Sequence, residues 1–218
     1  YLADDCNTLR QFTIGIDEQF NSADVDETMQ RSVTRAREVL SDLGARIVPL
    51  TFPDYRHAIE DWGPICAIEA AYAHRKTYPT RKDEYGPTLS AFLDSATGIS
   101  AADYQAMLLR RRVFSGQLEW ELNKVDAMLL PAQTDASPTI ATMAALGEDP
   151  QALAALIRFT APIDMSGHPS ITLPSGFTSR GTPVAVQLVG RYFGEDRVIR
   201  GGRAYQSATD WHKARPPV

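Results

Sequence analysis

The chain has 218 residues; at roughly 150 residues per domain this leaves room for one to two domains and for a core that needs no disulfide or metal staple. Apolar residues make up 44% and charged residues 22%, which excludes a disordered tail, a coiled coil and a collagen-like chain. Lys and Arg total 22 against 27 Asp and Glu, a net charge of -5, so no basic field exists to hold nucleic acid or anionic lipid, and neither is expected as a partner. Cys6 and Cys66 stand without metal-ligand spacing or a disulfide framework, and this fits a reducing compartment. The longest apolar runs, Ala127 to Pro131 and Val184 to Val189, fall far short of the ~20 residues of a membrane helix. Together these point to a cytoplasmic protein. The opening Tyr1-Leu2-Ala3 has neither an initiator Met nor a signal-peptide layout, and reads as an end made by processing or truncation.

In chain order, Phe12, Ile14 and Ile16 alternate with smaller residues and predict a strand. From Asp24 to Leu43 the apolar residues Val25, Met29, Val33, Ala36, Leu40 and Leu43 recur at helical spacing behind acids in the first turn, and Gly44 ends the run. Arg46 to Leu50 is a second β-type run, so residues 12 to 50 form a strand, helix, strand unit with parallel strands. A helix is expected from Ile59 to Lys76, with Glu69 on its apolar face, and residues 77 to 98 read as a loop-rich connection with a weak helical run. Ser100 and Asp103 look like an N-cap pair opening a long helix whose stripe of Tyr104, Met107, Leu108, Phe114, Leu118 and Leu122 is interrupted by Arg111.

Val125 to Pro131 predicts a buried strand, and residues 132 to 158 a long loop with a short helix. Ser170 to Pro174 and Val184 to Gly190 predict a hairpin, and Glu195 to Ala208 a closing amphipathic helix. Mixed parallel and antiparallel strands covered by α-helices define an α/β fold.

The chemistry is sparse. P-loop, Gly-x-Gly-x-x-Gly, Gly-x-Ser-x-Gly and zinc-protease motifs are absent. His57, His74, His168 and His212 stand singly, so no metal site is expected. Ser166 and His168, with Asp164 nearby, offer a serine hydrolase group, but residues this close in one loop do not easily take nucleophile, base and orienter positions together; the plain reading is a turn entering a strand, with His168 a surface or loop imidazole. Of Arg110, Arg111 and Arg112, Arg111 sits on the buried stripe, where an inward charge needs a partner such as Glu69. Asp164, read as a loop carboxylate between Pro162 and Gly167, is expected to bond backbone amides if it is not catalytic.

Phe159-Thr160-Ala161-Pro162-Ile163-Asp164-Met165-Ser166-Gly167-His168-Pro169, the strand that follows it, Gly181 to Arg191, and Trp211-His212 resemble the C-terminal part of the amidase signature family. The resemblance extends upstream through Asp126 to Pro131, Ile99 to Tyr104 and Phe12 to Leu50, so residues 1 to 218 read as the C-terminal part of a single amidase domain. It implies one α/β domain with a mixed sheet and hydrolysis of amide C-N bonds without metal or organic cofactor. In the family a Lys, a Ser held by a cis peptide and a nucleophilic Ser lie in a Gly/Ser-rich signature. This chain has no Ser-Ser pair, and Lys76, Lys82, Lys124 and Lys213 match no part of that signature. No catalytic residue is carried over, and those residues are expected to precede Tyr1.

The resemblance places Gln133, Thr134, Phe159 and Asp164 on the substrate-pocket side, Asp164 where many members carry Asn, for a small-molecule amide substrate in the complete enzyme. Arg215-Pro216-Pro217-Val218 looks like a family terminus. Half a sheet is expected to pair with the missing N-terminal segment or with itself through an exposed edge. The competing readings are a non-catalytic binding module with an amidase-like fold and a separate serine hydrolase using Ser166 and His168.

Overall fold

A computed structural model describes residues 8–146 and 149–215; Cys6 and the terminal residues Tyr1 and Val218 lie outside the described residues. A five-stranded sheet runs through the centre in the order β2-β1-β3-β5-β4. The strands are β1 (Thr13–Ile16), β2 (Arg46–Pro49), β3 (Ala127–Pro131), β4 (Ser170–Phe177) and β5 (Pro183–Val189). β1 lies parallel to β2 and β3, in register Ile14 to Ile47 and Ile14 to Ala127. β5 is antiparallel to both β3 and β4, with Leu130 and Thr172 each opposite Gln187. The sheet is therefore mixed, as the sequence predicts.

Helix α1 (Glu18–Ser22) and α2 (Glu27–Asp42) connect β1 to β2. The Asp26 carboxylate caps α2 by accepting from the Thr28 and Met29 amides, satisfying donors that no preceding turn can meet. Those amide bonds hold the Asp26 carboxyl below its ordinary value against the opposing effect of burial. The predicted start at Asp24 falls outside the helix because Asp24 takes φ +52° and Ala23 is extended. Next come α3 (Arg56–His74), α4 (Pro87–Ser95) and α5 (Ala101–Leu122). The stretch expected to be loop-rich holds a true helix in α4, opened by Pro87 at its first position. Ser100 caps α5 through a bond from the Asp103 amide, as expected.

Short helices α6 (Ile140–Ala145), α7 (Pro150–Ile157) and α8 (Ala161–Ser166) follow β3, and α9 (Glu195–Ala208) closes the chain. β4 runs three residues past its predicted end at Pro174 because a bulge between Pro174 and Gly176 shifts the register without ending the pairing.

Alternation along β3 sends Ala127 and Leu129 to one face and Met128 and Leu130 to the other. The first face packs against Val33, Ala36 and Leu40 of α2 and Ala204 and Tyr205 of α9; burial pushes the Tyr205 hydroxyl up to about 12. The second packs against Ile65 of α3, Phe114, Leu118 and Leu122 of α5, and Ile163 and Met165 of α8. β2 and β4 are the sheet edges. Among the described residues, no helix is long and apolar enough to cross a membrane.

Candidate functional site

In open α/β sheets the loops beyond the carboxyl ends of parallel strands gather ligand-binding groups, because backbone and helix termini converge there. Here those ends are stapled by polar side chains. The Asp17 carboxylate, just past β1, accepts from the Phe20 amide at 2.9 Å and from the Phe52 amide beyond β2 at 2.7 Å. The turn after β3 is held by Thr134, which is buried: its carbonyl accepts from the Asp26 amide at 2.8 Å and its hydroxyl donates to the Ala155 carbonyl at 3.2 Å.

Two groups outside the sequence expectation tie the following segment to this end. Gln187, buried on β5, donates through Nε2 to the carbonyls of Pro131 (3.2 Å) and Phe159 (2.7 Å). Its amide is oriented by the need of both carbonyls for a donor. Arg158 lies over the rings of Phe20, Tyr55 and Phe159 and donates to the carbonyls of Phe20 and Ala23, which end α1. A guanidinium suits that position because its flat face rests on aromatic carbon while its edge supplies several donors.

Two cavities meet the turn after β3. One, of 280 Å³, is lined by Met29, Gln133, Asp135, Thr160, Thr172 and Gln187 among others. The second, of 350 Å³, includes Tyr55, Arg56, Glu60, Thr134 and Arg158. Gln133 and Thr134 are thus placed at adjoining cavities on the carboxyl side of β3. Phe159 does not line either one: it is a core side chain, 1% exposed, packed edge-on to Phe20, and its contribution is the carbonyl that Gln187 holds.

Asp164 stands apart from these three. It lies on α8, not in a loop, because Pro162 and the αL residue Gly167, φ +74°, delimit a helical turn. Its exposed carboxylate accepts from Trp62 Nε1 at 3.3 Å and from no backbone amide. Beside it, burial pushes the Cys66 thiol up, and the carboxylates of Glu69 and Asp164 add to that shift. Cys66 is accordingly a poor nucleophile.

The expected Arg111 to Glu69 pair is not formed. Glu69 is exposed, and Arg111 Nε donates instead to the Met165 carbonyl at 2.5 Å, meeting one of the free carbonyls at the end of α8. The inward ion pair belongs to the neighbouring residue: Arg110 grips the buried Asp61 carboxylate in bidentate fashion at 2.8 and 2.7 Å. Asp61 is buried on α3 together with Ala58 and Ile65, whereas Glu69, one turn beyond Ile65, is exposed.

His168 is buried, not at the surface. Its ring stacks on Tyr192 at 4.0 Å and its Nε2 lies 3.0 Å from Glu119 Oε2. Burial draws its pKa below the ordinary value against the opposing effect of Glu119. Ser166 donates to the Ile163 carbonyl at 3.0 Å, so its hydroxyl closes the last turn of α8 and makes no bond to His168. Among the described residues no Lys is placed to activate a Ser: Lys82, Lys124 and Lys213 pair with Asp94, Glu121 and Asp210, and Lys76 is exposed.

A mixed sheet of five strands covered by helices is a fold that this chain shares with solved amidases. The chain superposes on the crystal structure of an amidase with a TM-score of 0.78 at 23% identity, covering 92% of this chain and 46% of that one. On 6-aminohexanoate cyclic dimer hydrolase it reaches 0.79 at 22% identity, covering 98% and 48%. In sequence, residues 3–199 match the amidase family, and the chain belongs to it. AmiD of Mycobacterium tuberculosis, which carries the name of a putative amidase, is 46% identical over 152 residues, covering 70% of this chain and 32% of its own length. A glutamyl-tRNA(Gln) amidotransferase polypeptide from Chloroflexus aurantiacus is 31% identical over 234 residues, covering 95% and 47%. The chain therefore spans from 32% to 48% of the length of these relatives.

Proposed function

We propose that this chain supplies the C-terminal half of a cytoplasmic amidase that hydrolyses the C-N bond of a small amide, with the Ser, cis-Ser and Lys of the signature contributed by residues that precede it. The observation that carries the reading is the pairing of a family match over most of the chain with the absence, among the described residues, of a Lys beside a Ser hydroxyl. A serine attacks an amide only when a neighbouring base removes its proton. The role of this half is then to complete the sheet and to wall the substrate pocket. Gln133 and Thr134 line it from the turn after β3, the Phe159 carbonyl fixes the turn's partner loop through Gln187, and Asp164 presents a carboxylate from α8 on a separate wall.

The test is hydrolysis of small aliphatic and aromatic amides, followed by ammonia release. The chain alone should give no turnover above background. A chimera in which it replaces the matching segment of AmiD should hydrolyse amides. Turnover by the purified chain alone, or a folded chimera without activity, would contradict the reading.

A further inference from the structure

A third cavity, of 200 Å³, lies between the first turns of α2 and the bulge near the carboxyl end of β4, and shares Val184 with the cavity that Gln133 lines. It is lined by Thr28, Arg31, Ser32 and Arg35 on one side and by Ser175 and Ser179 on the other. Arg31 and Arg35 stand at i, i+4, so both guanidinium groups rise from the same face of α2. Arg31 is held by exposed contacts, to the Glu27 carboxylate at 2.9 Å and the Thr28 hydroxyl at 3.3 Å, of a kind that contributes little and exchanges readily. Arg35 makes no hydrogen bond or ion pair among the described residues.

The floor of the cavity holds a second, independent signal. Ser32 and Ser175 are 3% and 2% exposed, and their hydroxyls touch each other. Two hydroxyls carry two protons; their mutual bond uses one, and among the described residues the other meets no acceptor. A buried donor without an acceptor is costly, and here it is located at a cavity walled by cations. No carboxylate lines this cavity, whereas the others carry Asp54 and Glu121, Asp135, Asp24 and Glu60, or Glu38 and Asp42. In a chain of net charge -5 that is a selective place for an anion.

We propose that this cavity binds a phosphate group, either free phosphate or the phosphomonoester of a small soluble ligand. A tetrahedral oxyanion accepts from several directions at once, and the site offers guanidinium donors from α2, the spare hydroxyl proton of Ser32 and Ser175 from below, and Ser179 from the hairpin. At roughly 30 Å³ per water the volume holds a phosphate with several waters.

Isothermal titration of the full chain at constant ionic strength tests this, with inorganic phosphate and glycerol 3-phosphate as probes and acetate as the planar control. Both phosphates should bind saturably, and acetate should not. Tighter binding of inorganic phosphate identifies the free anion as the source; tighter binding of the ester identifies a phosphorylated small molecule. Arg35→Gln, at an exposed position, should weaken binding about tenfold or more, the usual effect of losing a charge-assisted bond. Ser175→Ala should weaken it as well. Arg37→Gln, on the same helix but paired with Glu18 at 2.8 Å, should leave it unchanged. No saturable binding of either phosphate, equal binding of acetate, or equal weakening by Arg37→Gln and Arg35→Gln would overturn the proposal.

Discussion

Gln187→Leu isolates the staple that joins the turn after β3 to the loop at Phe159. The substitution keeps the shape of the side chain but removes both Nε2 bonds, leaving the Pro131 and Phe159 carbonyls without that donor in the interior. A buried carbonyl stripped of its partner costs about 1–3 kcal/mol, and the added apolar carbon returns part of the sum, so a net loss of about 3 kcal/mol is expected. For a chain of this size about 2–4 °C is lost per kcal/mol, which puts the fall in thermal midpoint at about 6–12 °C. Far-ultraviolet circular dichroism on heating, at one protein concentration, reads it directly.

Gln187→Glu should be worse at neutral pH, because an ionised carboxylate would face two acceptors. A folded pKa raised above the unfolded value gives stability that is full below the unfolded value near 4.3 and is lost as pH rises through the folded one. The Glu variant should therefore recover on acidification relative to the Leu variant. A midpoint for Gln187→Leu within about 2 °C of the parent would refute the assignment of the staple.

Other changes probe the surrounding frame. Arg110→Met strands the buried Asp61 carboxylate and should cost about 3 kcal/mol in urea unfolding, more than Asp61→Asn, which leaves a neutral acceptor for the guanidinium. Gly15→Ala places a methyl into the Leu50 side chain and within 3.2 Å of Val125 Cγ1, and should lower stability by about 1–3 kcal/mol through overpacking. His168 has its pKa lowered, first by burial, so the folded state resists its protonation; the stability it supports is present above the unfolded value of 6.5 and falls away as pH drops through the lower folded value. His168→Asn should flatten the pH dependence of the thermal midpoint below 6.5, and an unchanged slope would count against burial as the dominant cause.

Much of the frame is legible in the sequence because period and punctuation agree. The apolar spacing of α2, the alternation in β1, the Ser100 cap and the closing helix from Glu195 to Ala208 are each specified locally, and a short parallel unit follows from their order. Several of the misreadings share a physical origin: they concern polar side chains whose partners are remote in sequence. Arg110 and Arg111 are adjacent on one helix, and only the approach of α3 and α8 decides that the first meets Asp61 and the second a helix-terminal carbonyl. His168 follows a turn glycine, yet Tyr192 and Glu119 close over it from elements far along the chain. Arg158 and Gln187 carry no local signal, since an Arg after an Ala-rich run and a Gln in an apolar strand look ordinary until buried carbonyls surround them. Asp164 reads as a loop residue because Pro162 and Gly167 bracket it, although the same two residues open and close a helical turn.

The proposed function requires that this chain carry no activated nucleophile. Treating the purified chain with a fluorophosphonate and weighing it by intact-protein mass spectrometry tests that claim most directly, since only a serine primed by a base reacts stoichiometrically. An unmodified mass is the expected result. A one-to-one adduct that disappears in Ser166→Ala, or that maps to any other serine of this chain, would contradict it.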